Sequence, residues 1–284
     1  MNGIIIVDKP INYTSRDVVN ILSKKFNTKK IGHAGTLDPL ATGVLVIAFG
    51  KYTKLLEILT GYEKEYEFEC VFGKSTDTYD IEGNIISDNP SLISSEKLKQ
   101  AITYFPKKYL QEVPKYSAVK INGKKLYEYA RANVNIELPK REVSILDFSY
   151  IDSYDKCDHT YLKAKVKVSK GTYIRSLIVD LAKSLDSTAC MSYLRRTKQG
   201  MFDINDAYEL DDILNDNYNF VNLDEALSYF EKRDLNDDEY QIVKNGGLMK
   251  DSVDTVLYTY KGKNIAIYKR YLKNPDYLKP WKMF

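Results

Sequence analysis

Histidine and cysteine are scarce in this 284-residue chain: two of the first and three of the second. Cys70, Cys157 and Cys190 are odd in number and far apart. That argues against a disulfide framework and for a reducing cytoplasm. With only His33 and His159 beside them, no zinc-ligand spacing exists and no metal site is expected. No apolar run reaches the length of a membrane span. The opening stretch to Pro10 has no basic leader, and its apolar run is too short for a signal peptide; it reads as a first buried strand. No GxGxxG follows that strand and no GxxxxGK(S/T) occurs, which argues against enzymes that use a nucleotide cofactor. Net charge is almost absent, at +3.

The apolar fraction of 44% is ample for a core. The length suits one large domain and a small one. Charge is unevenly placed. Residues 106–141 carry nine Lys/Arg against three Glu, interleaved with Tyr109, Tyr116, Tyr127 and Tyr129. A solvated surface loop and an RNA contact, with bases stacked on rings and phosphates on cations, are even competitors for such a segment.

The densest local signal is Gly32-His33-Ala34-Gly35-Thr36-Leu37-Asp38-Pro39-Leu40-Ala41-Thr42-Gly43. Its glycines permit backbone angles closed to other residues. Pro39 biases Asp38 toward an extended conformation. The apolar run Val44–Phe49 then reads as a buried strand beneath the loop. A carboxylate held on a rigid base suits covalent or acid–base chemistry. The competing reading is a turn-forming Asp before Pro.

Elsewhere, Thr14-Ser15 reads as a helix cap, followed by Val18, Leu22 and Phe26 on one face. Tyr66, Phe68, Cys70 and Phe72 alternate as a strand. Ser94 to Phe105 reads as a helix. The segment 106–141 is expected to start and end as loop, with a helix over Lys124–Ala132. Leu162 to Val168 alternates as a half-buried strand. A helix is expected after Lys170-Gly171-Thr172, with Thr172 near its N-cap and Tyr173 and Arg175 at the strand-to-helix junction. Residues 206–240 read as acidic and mostly helical, and a β-rich module follows residue 229. Strands and helices mingle without strict βαβ alternation, so the expected class is α+β with a mixed or antiparallel sheet.

Several motifs, in order, resemble those of the TruB-type pseudouridine synthases, which act on position 55 of the tRNA T-loop. They are Lys9-Pro10 with Thr14-Ser15, the GHAGTLDPLATG run, Lys64-Glu65-Tyr66, Thr76–Asp80, Val113–Lys120 with Gly123–Arg131, Gly171–Arg175, Leu194-Arg195-Arg196 and the closing Lys279–Phe284. The resemblance implies a pseudouridine-synthase-like sheet flanked by helices over residues 1–228, with an RNA-gripping insertion at about 106–141. It implies a PUA-like RNA-binding module over 229–284. One departure is Asn12, where the family's first motif has glycine; Asn also tolerates left-handed angles, so the turn is expected to survive.

The resemblance also assigns roles. Asp38 matches the catalytic aspartate, as nucleophile at C1′ or base at C2′ of the target ribose. Tyr66 matches the tyrosine that stacks on the uracil and helps remove the C5 proton, with core packing as the competing reading. Arg175 matches the arginine that pairs with and orients Asp38; otherwise it is a surface helix residue. Tyr173 and Leu194 are expected to line the uracil pocket, Leu194 being equally well a core residue. Asp80 is expected to hydrogen-bond in or near that pocket, His33 to contact the flipped-out nucleotide, and Lys9 to play a supporting part in substrate binding. Neither cofactor nor metal is implied. The expected partner is the tRNA elbow, with no membrane or protein partner and a monomeric enzyme in the cytoplasm. The competing functions are a tRNA-folding chaperone, a guide-RNA-dependent relative acting on rRNA, and a base-removing glycosylase. The basic insertion speaks against the guide-dependent relative, and retained uracil would exclude the glycosylase.

Overall fold

The computed structural model describes residues 2–132 and 134–284. Its frame is a nine-stranded mixed sheet. Across the sheet the main strands run Gly3–Lys9, Thr42–Phe49, Ala189–Gln199, Lys64–Phe72, His159–Val168, Lys140–Lys156 and Lys108–Glu112. Ile31–His33 and Phe202–Asp203 attach at the side. Every pairing is antiparallel except a short parallel contact of Arg195 and Arg196 with Thr42 and Gly43.

That parallel contact explains one glycine of the GHAGTLDPLATG run. Gly43 has φ +99°, and a Cβ there would stand 2.2 Å from the Arg196 carbonyl oxygen. Only glycine lets the two strands approach at this point.

The continuous apolar run at the N-terminus follows from burial on both faces. Ile5 and Val7 join Leu45 and Ile47 beneath Val18 and Leu22 of the Ser15–Lys25 helix and Leu177, Ile178 and Leu181 of the Ile174–Lys183 helix. Ile4, Ile6, Val44 and Val46 face the other way, onto Leu55, Ile58 and Leu59. Leu257 and Ile267 of a second, five-stranded sheet spanning Lys232–Met283 complete that second cluster.

Thr14 caps the first helix in a reciprocal box with Asp17. Asn12 takes φ 68°, the left-handed angle expected of it, and donates its N–H to the Pro39 carbonyl at 2.9 Å.

Two local expectations are corrected. Segment 106–141 does not begin and end as loop: Lys108–Glu112 pairs with Lys140–Ser144 and forms the outer strand of the main sheet. Its sequence hides this because an edge strand with one exposed face carries Lys108 and Glu112 outward while only Gln111 is buried. Between those strands stand a small hairpin across Asn122-Gly123 and the helix Leu126–Arg131. Thr172 lies next to the helix N-cap, as expected; Tyr173 occupies the cap position without a side-chain bond, and the Thr172 hydroxyl donates back to the Ser169 carbonyl. Residues 206–240 hold only the short α-helices Leu210–Leu214 and Leu223–Ala226 and the start of Asp237–Lys244, together with the strand Lys232–Asp234. Asp, Asn and Glu there are spent on caps such as Asn222 and Asn236 rather than on one long helix.

Candidate active site

A cavity of about 650 Å³ opens over the centre of the main sheet. Its walls come from the Gly35–Asp38 loop, the Lys64–Phe72 strand, the Ser117-Ala118 segment of the insertion, the Lys170–Arg175 junction and the Ala189–Gln199 strand.

Asp38 and Arg175 meet there from positions 137 residues apart. Arg175 Nε lies 2.9 Å from Asp38 Oδ2, and Nη2 donates to Oδ1 at 3.1 Å. This is a two-point fork, the geometry in which a guanidinium best orients a carboxylate. Arg175 is buried, with its Nη1 donating to the Thr78 carbonyl at 2.8 Å and its Nη2 to the Tyr116 carbonyl at 3.0 Å. The Asp38 side chain keeps 35% exposure. One member of the pair is therefore fixed in the protein while the other reaches solvent on the cavity side.

The loop carrying Asp38 is held from below. Ser15 Oγ accepts the Leu37 N–H at 2.9 Å and donates to the Leu37 carbonyl at 3.3 Å. Lys9 Nζ donates to the carbonyls of Pro10, Tyr13 and Pro39 at 2.8, 2.6 and 3.3 Å. Burial lowers the Lys9 pKa to about 8, with Asp38 and other charges adjusting it.

Tyr66 and Leu194 are at once core and wall. Both belong to the main hydrophobic cluster, and both line the cavity. The two readings weighed for each residue are thus compatible. Tyr173 stands opposite, its backbone fixed in both directions by the Gln111 side chain, at 2.8 and 3.1 Å.

Three residues expected against the substrate lie outside the cavity wall. Asp80 sits behind Arg175, 3.8 Å from its Nη1, and accepts from the Thr78 hydroxyl at 2.7 Å and the Glu82 N–H at 3.2 Å. His33 stands on the Ile31–His33 strand opposite Ile47. Burial, aided by the positive charges of Arg16 and Arg196, lowers its pKa. Its Nδ1 is buried with no hydrogen-bond partner among the described residues. Lys9 lies beneath the loop, because its ammonium is consumed by three backbone carbonyls.

Two residues that line the site were given no role by the sequence reading. Arg196 is fully buried; its Nε donates to the Val44 carbonyl at 2.6 Å and its Nη2 to the Gly35 carbonyl at 3.1 Å. Lys64 donates to the carbonyls of Thr60 and Tyr62 at 2.7 and 2.6 Å. Burial, with Arg196 and Lys170 nearby, lowers its pKa to about 8. A signal for both existed. Lys64 is two residues before Tyr66 and Arg196 two after Leu194, so strand alternation turns each inward with an apolar partner. A cation on an inward face marks a site or a strut.

Comparisons with known proteins agree along the chain. Residues 23–174 match the family model described as the TruB family pseudouridylate synthase N-terminal domain. Residues 175–232 match the tRNA pseudouridylate synthase B C-terminal domain. The chain is 39% identical over 281 residues to tRNA pseudouridine synthase B of Lactobacillus acidophilus, covering 95% of each. It is 45% identical over 222 residues to the protein of that name in Ureaplasma urealyticum, covering 78% of this chain and 95% of the relative. Among solved structures, a Cbf5-Nop10-Gar1 complex contains a chain of the same fold, with a TM-score of 0.72 and 24% identity over 94% of this chain and 78% of that one. A chain of an H/ACA RNP bound to a substrate RNA gives 0.73 and 22%, over 99% and 84%.

Proposed function

The chain belongs to the TruB family of pseudouridylate synthases, and from that premise we propose that it converts the T-loop uridine of tRNA, position 55, to pseudouridine. The net reaction breaks the N1–C1′ bond, forms a C5–C1′ bond, and exchanges a proton at C5 for one at N1. It needs a carboxylate at the ribose, a surface for the turning base, and a way to keep the cleaved base in place.

The single observation that carries the reading is the forked Asp38–Arg175 pair on the cavity wall. The fork leaves Asp38 partly exposed, so its carboxylate can approach the ribose either as nucleophile at C1′ or as base at C2′. Either route returns the carboxylate unchanged at the end. Tyr66 and Leu194 offer an apolar face to the uracil once it leaves the RNA stack, which offsets part of the few kcal/mol that flipping costs. Among the described residues the Tyr66 hydroxyl makes no hydrogen bond, so that group is available to take part in removing the C5 proton. His33, outside the cavity, is assigned to the RNA that frames the site, and Asp80 and Lys9 to holding Arg175 and the loop.

The basic insertion between residues 106 and 141 is assigned to gripping the T-arm. The five-stranded sheet after about residue 228 is assigned to a PUA-like RNA-binding module. Three unpaired cysteines fit work in the reducing cytoplasm. No helix is long and apolar enough to cross a membrane among the described residues.

The test is product formation on unmodified tRNA transcript, mapped by a pseudouridine-specific chemical label. Wild type is expected to label the T-loop uridine once, and Asp38→Asn to give no label while still binding the tRNA. A second labelled position, or product from Asp38→Asn, would overturn the assignment. Wild type that binds and refolds tRNA without labelling it would favour the chaperone reading.

A further inference from the structure

The charges around the cavity do not balance in pairs. Three acids line it: Asp38, Glu57 and Glu142. Each already has a cation within the chain: Arg175 for Asp38, Lys282 for Glu57 at 2.6 Å, and Lys108 for Glu142 at 3.0 Å. Five cations line it: Lys64, Arg141, Lys170, Arg175 and Arg196. Among the described residues only Arg175 has a carboxylate partner; no ion pair forms at the other four.

Those four divide by depth. Lys64 and Arg196 are buried and bonded to backbone carbonyls, so they act as struts. The side chains of Arg141 and Lys170 line the cavity on its more exposed side and hydrogen-bond to nothing among the described residues. Arg141 is nevertheless placed. Its guanidinium lies over the Tyr173 ring, 5.8 Å from the centroid. A Cβ on Gly171 would stand 3.1 Å from its Nη1, so glycine there leaves the room it occupies. Beside it begins the Ile174–Lys183 helix, whose N-cap Tyr173 provides no side-chain acceptor. An uncapped helix start carries partial positive charge. Ser117 also lines this cavity; it is buried, and its Oγ has no hydrogen-bond partner among the described residues.

We propose that Arg141 and Lys170, beside the start of the Ile174–Lys183 helix, form a subsite for the phosphodiester flanking the nucleotide whose base enters the cavity, with Ser117 donating from the cavity wall. The ligand class follows from the set: two cations without a carboxylate partner among the described residues, one of them a planar fork, beside the positive end of a helix, is an arrangement that takes a phosphate. The subsite rests on reading the cavity as the uridine site. It adds a reason why a base without its backbone phosphates would be a poor ligand.

The experiment measures binding of unmodified tRNA by the full chain between about 50 and about 200 mM salt, the range over which phosphate contacts show themselves. Arg141→Gln and Lys170→Gln are each expected to weaken binding about ten-fold and to lower the slope of log affinity against log salt by about one. Arg141→Lys is expected to keep the slope, because the slope counts charges rather than shape. A merely structural role for Arg141 would not give that pattern. A T-arm hairpin carrying a neutral methylphosphonate on either side of the target uridine provides the second arm. It should bind wild type about ten-fold more weakly than the natural hairpin and cost the double Gln variant little. Unchanged slopes in both Gln variants, or an equal methylphosphonate penalty in wild type and double variant, would overturn the subsite. Product formation by wild type on the same transcript is scored separately, so loss of the enzyme reading and loss of the subsite are distinguishable.

Discussion

Ser15 and Leu37 are joined twice, the Leu37 N–H donating to Ser15 Oγ and the hydroxyl donating back to the Leu37 carbonyl. Residue 15 opens the first helix and residue 37 precedes Asp38. The helix cap and the Asp38 loop are thus one unit, with Thr14 serving the helix and Ser15 serving the loop.

Ser15→Ala should therefore act on both. It leaves a buried Leu37 N–H without its acceptor, a loss of about 1–3 kcal/mol. Urea unfolding should show that loss, and kcat should fall as the loop carrying Asp38 loosens. A variant with lowered stability but unchanged kcat would show that the loop is held well enough by Lys9 alone.

Arg175→Lys keeps the charge and loses the fork. One ammonium cannot serve Asp38 at two points along with the carbonyls of Thr78 and Tyr116. Turnover should drop by about 100-fold, equivalent to about 2.7 kcal/mol of barrier. Single-turnover rates with saturating tRNA report this directly. A near-normal rate would mean that Asp38 needs only a nearby positive charge.

Tyr66→Phe keeps the ring and removes a hydroxyl that bonds to nothing among the described residues. Stability should change by less than about 0.5 kcal/mol, since no buried hydrogen bond is broken. Turnover should fall through the final proton removal, seen as a larger kinetic isotope effect with uridine deuterated at C5. Tyr66→Leu should fall further, because the stacking face goes too.

Gly43→Ala tests the strand crossing. The added methyl meets the Arg196 carbonyl oxygen at 2.2 Å, at a backbone angle that L residues rarely adopt. Destabilisation of at least about 2 kcal/mol is expected, and Arg196 must shift with its strand. Thermal unfolding checks it; a wild-type melting temperature would show that the sheet yields more easily than its packing suggests.

Stability should also depend on pH through Lys64. Burial lowers its folded pKa to about 8 from an ordinary value of 10.5. Between those values the unfolded chain holds the proton and the folded chain does not. Stability from this group therefore rises as pH goes from about 8 toward 10.5. Below about 8 the buried ammonium exerts its full penalty. Urea unfolding of wild type and Lys64→Met across that window should show wild type gaining on the variant. Parallel curves would mean that the carbonyls of Thr60 and Tyr62 hold the ammonium as well as water does.

Much was legible locally because it depends on local rules. Apolar runs and alternation marked Gly3–Lys9, Thr42–Phe49 and Lys64–Phe72 as strands. The Thr14 cap and the left-handed turn at Asn12 depend only on neighbouring residues. The Asp38 loop announced itself through its glycines and Pro39, and the order of motifs pointed to the family. These features follow from backbone sterics and from side-chain period, which a sequence carries in full. What needed the tertiary structure depends on which distant segments meet. The Asp38–Arg175 fork closes across the fold. Lys108–Glu112 is a strand only because Lys140–Ser144 lies beside it. Asp80, His33 and Lys9 sit off the cavity, because each is held by partners that only the fold brings to it: Arg175 behind Asp80, the Ile47 pairing for His33, and three backbone carbonyls around Lys9. The excess of cations around the cavity is likewise a property of packing, since a charge is paired or free only relative to what folds against it.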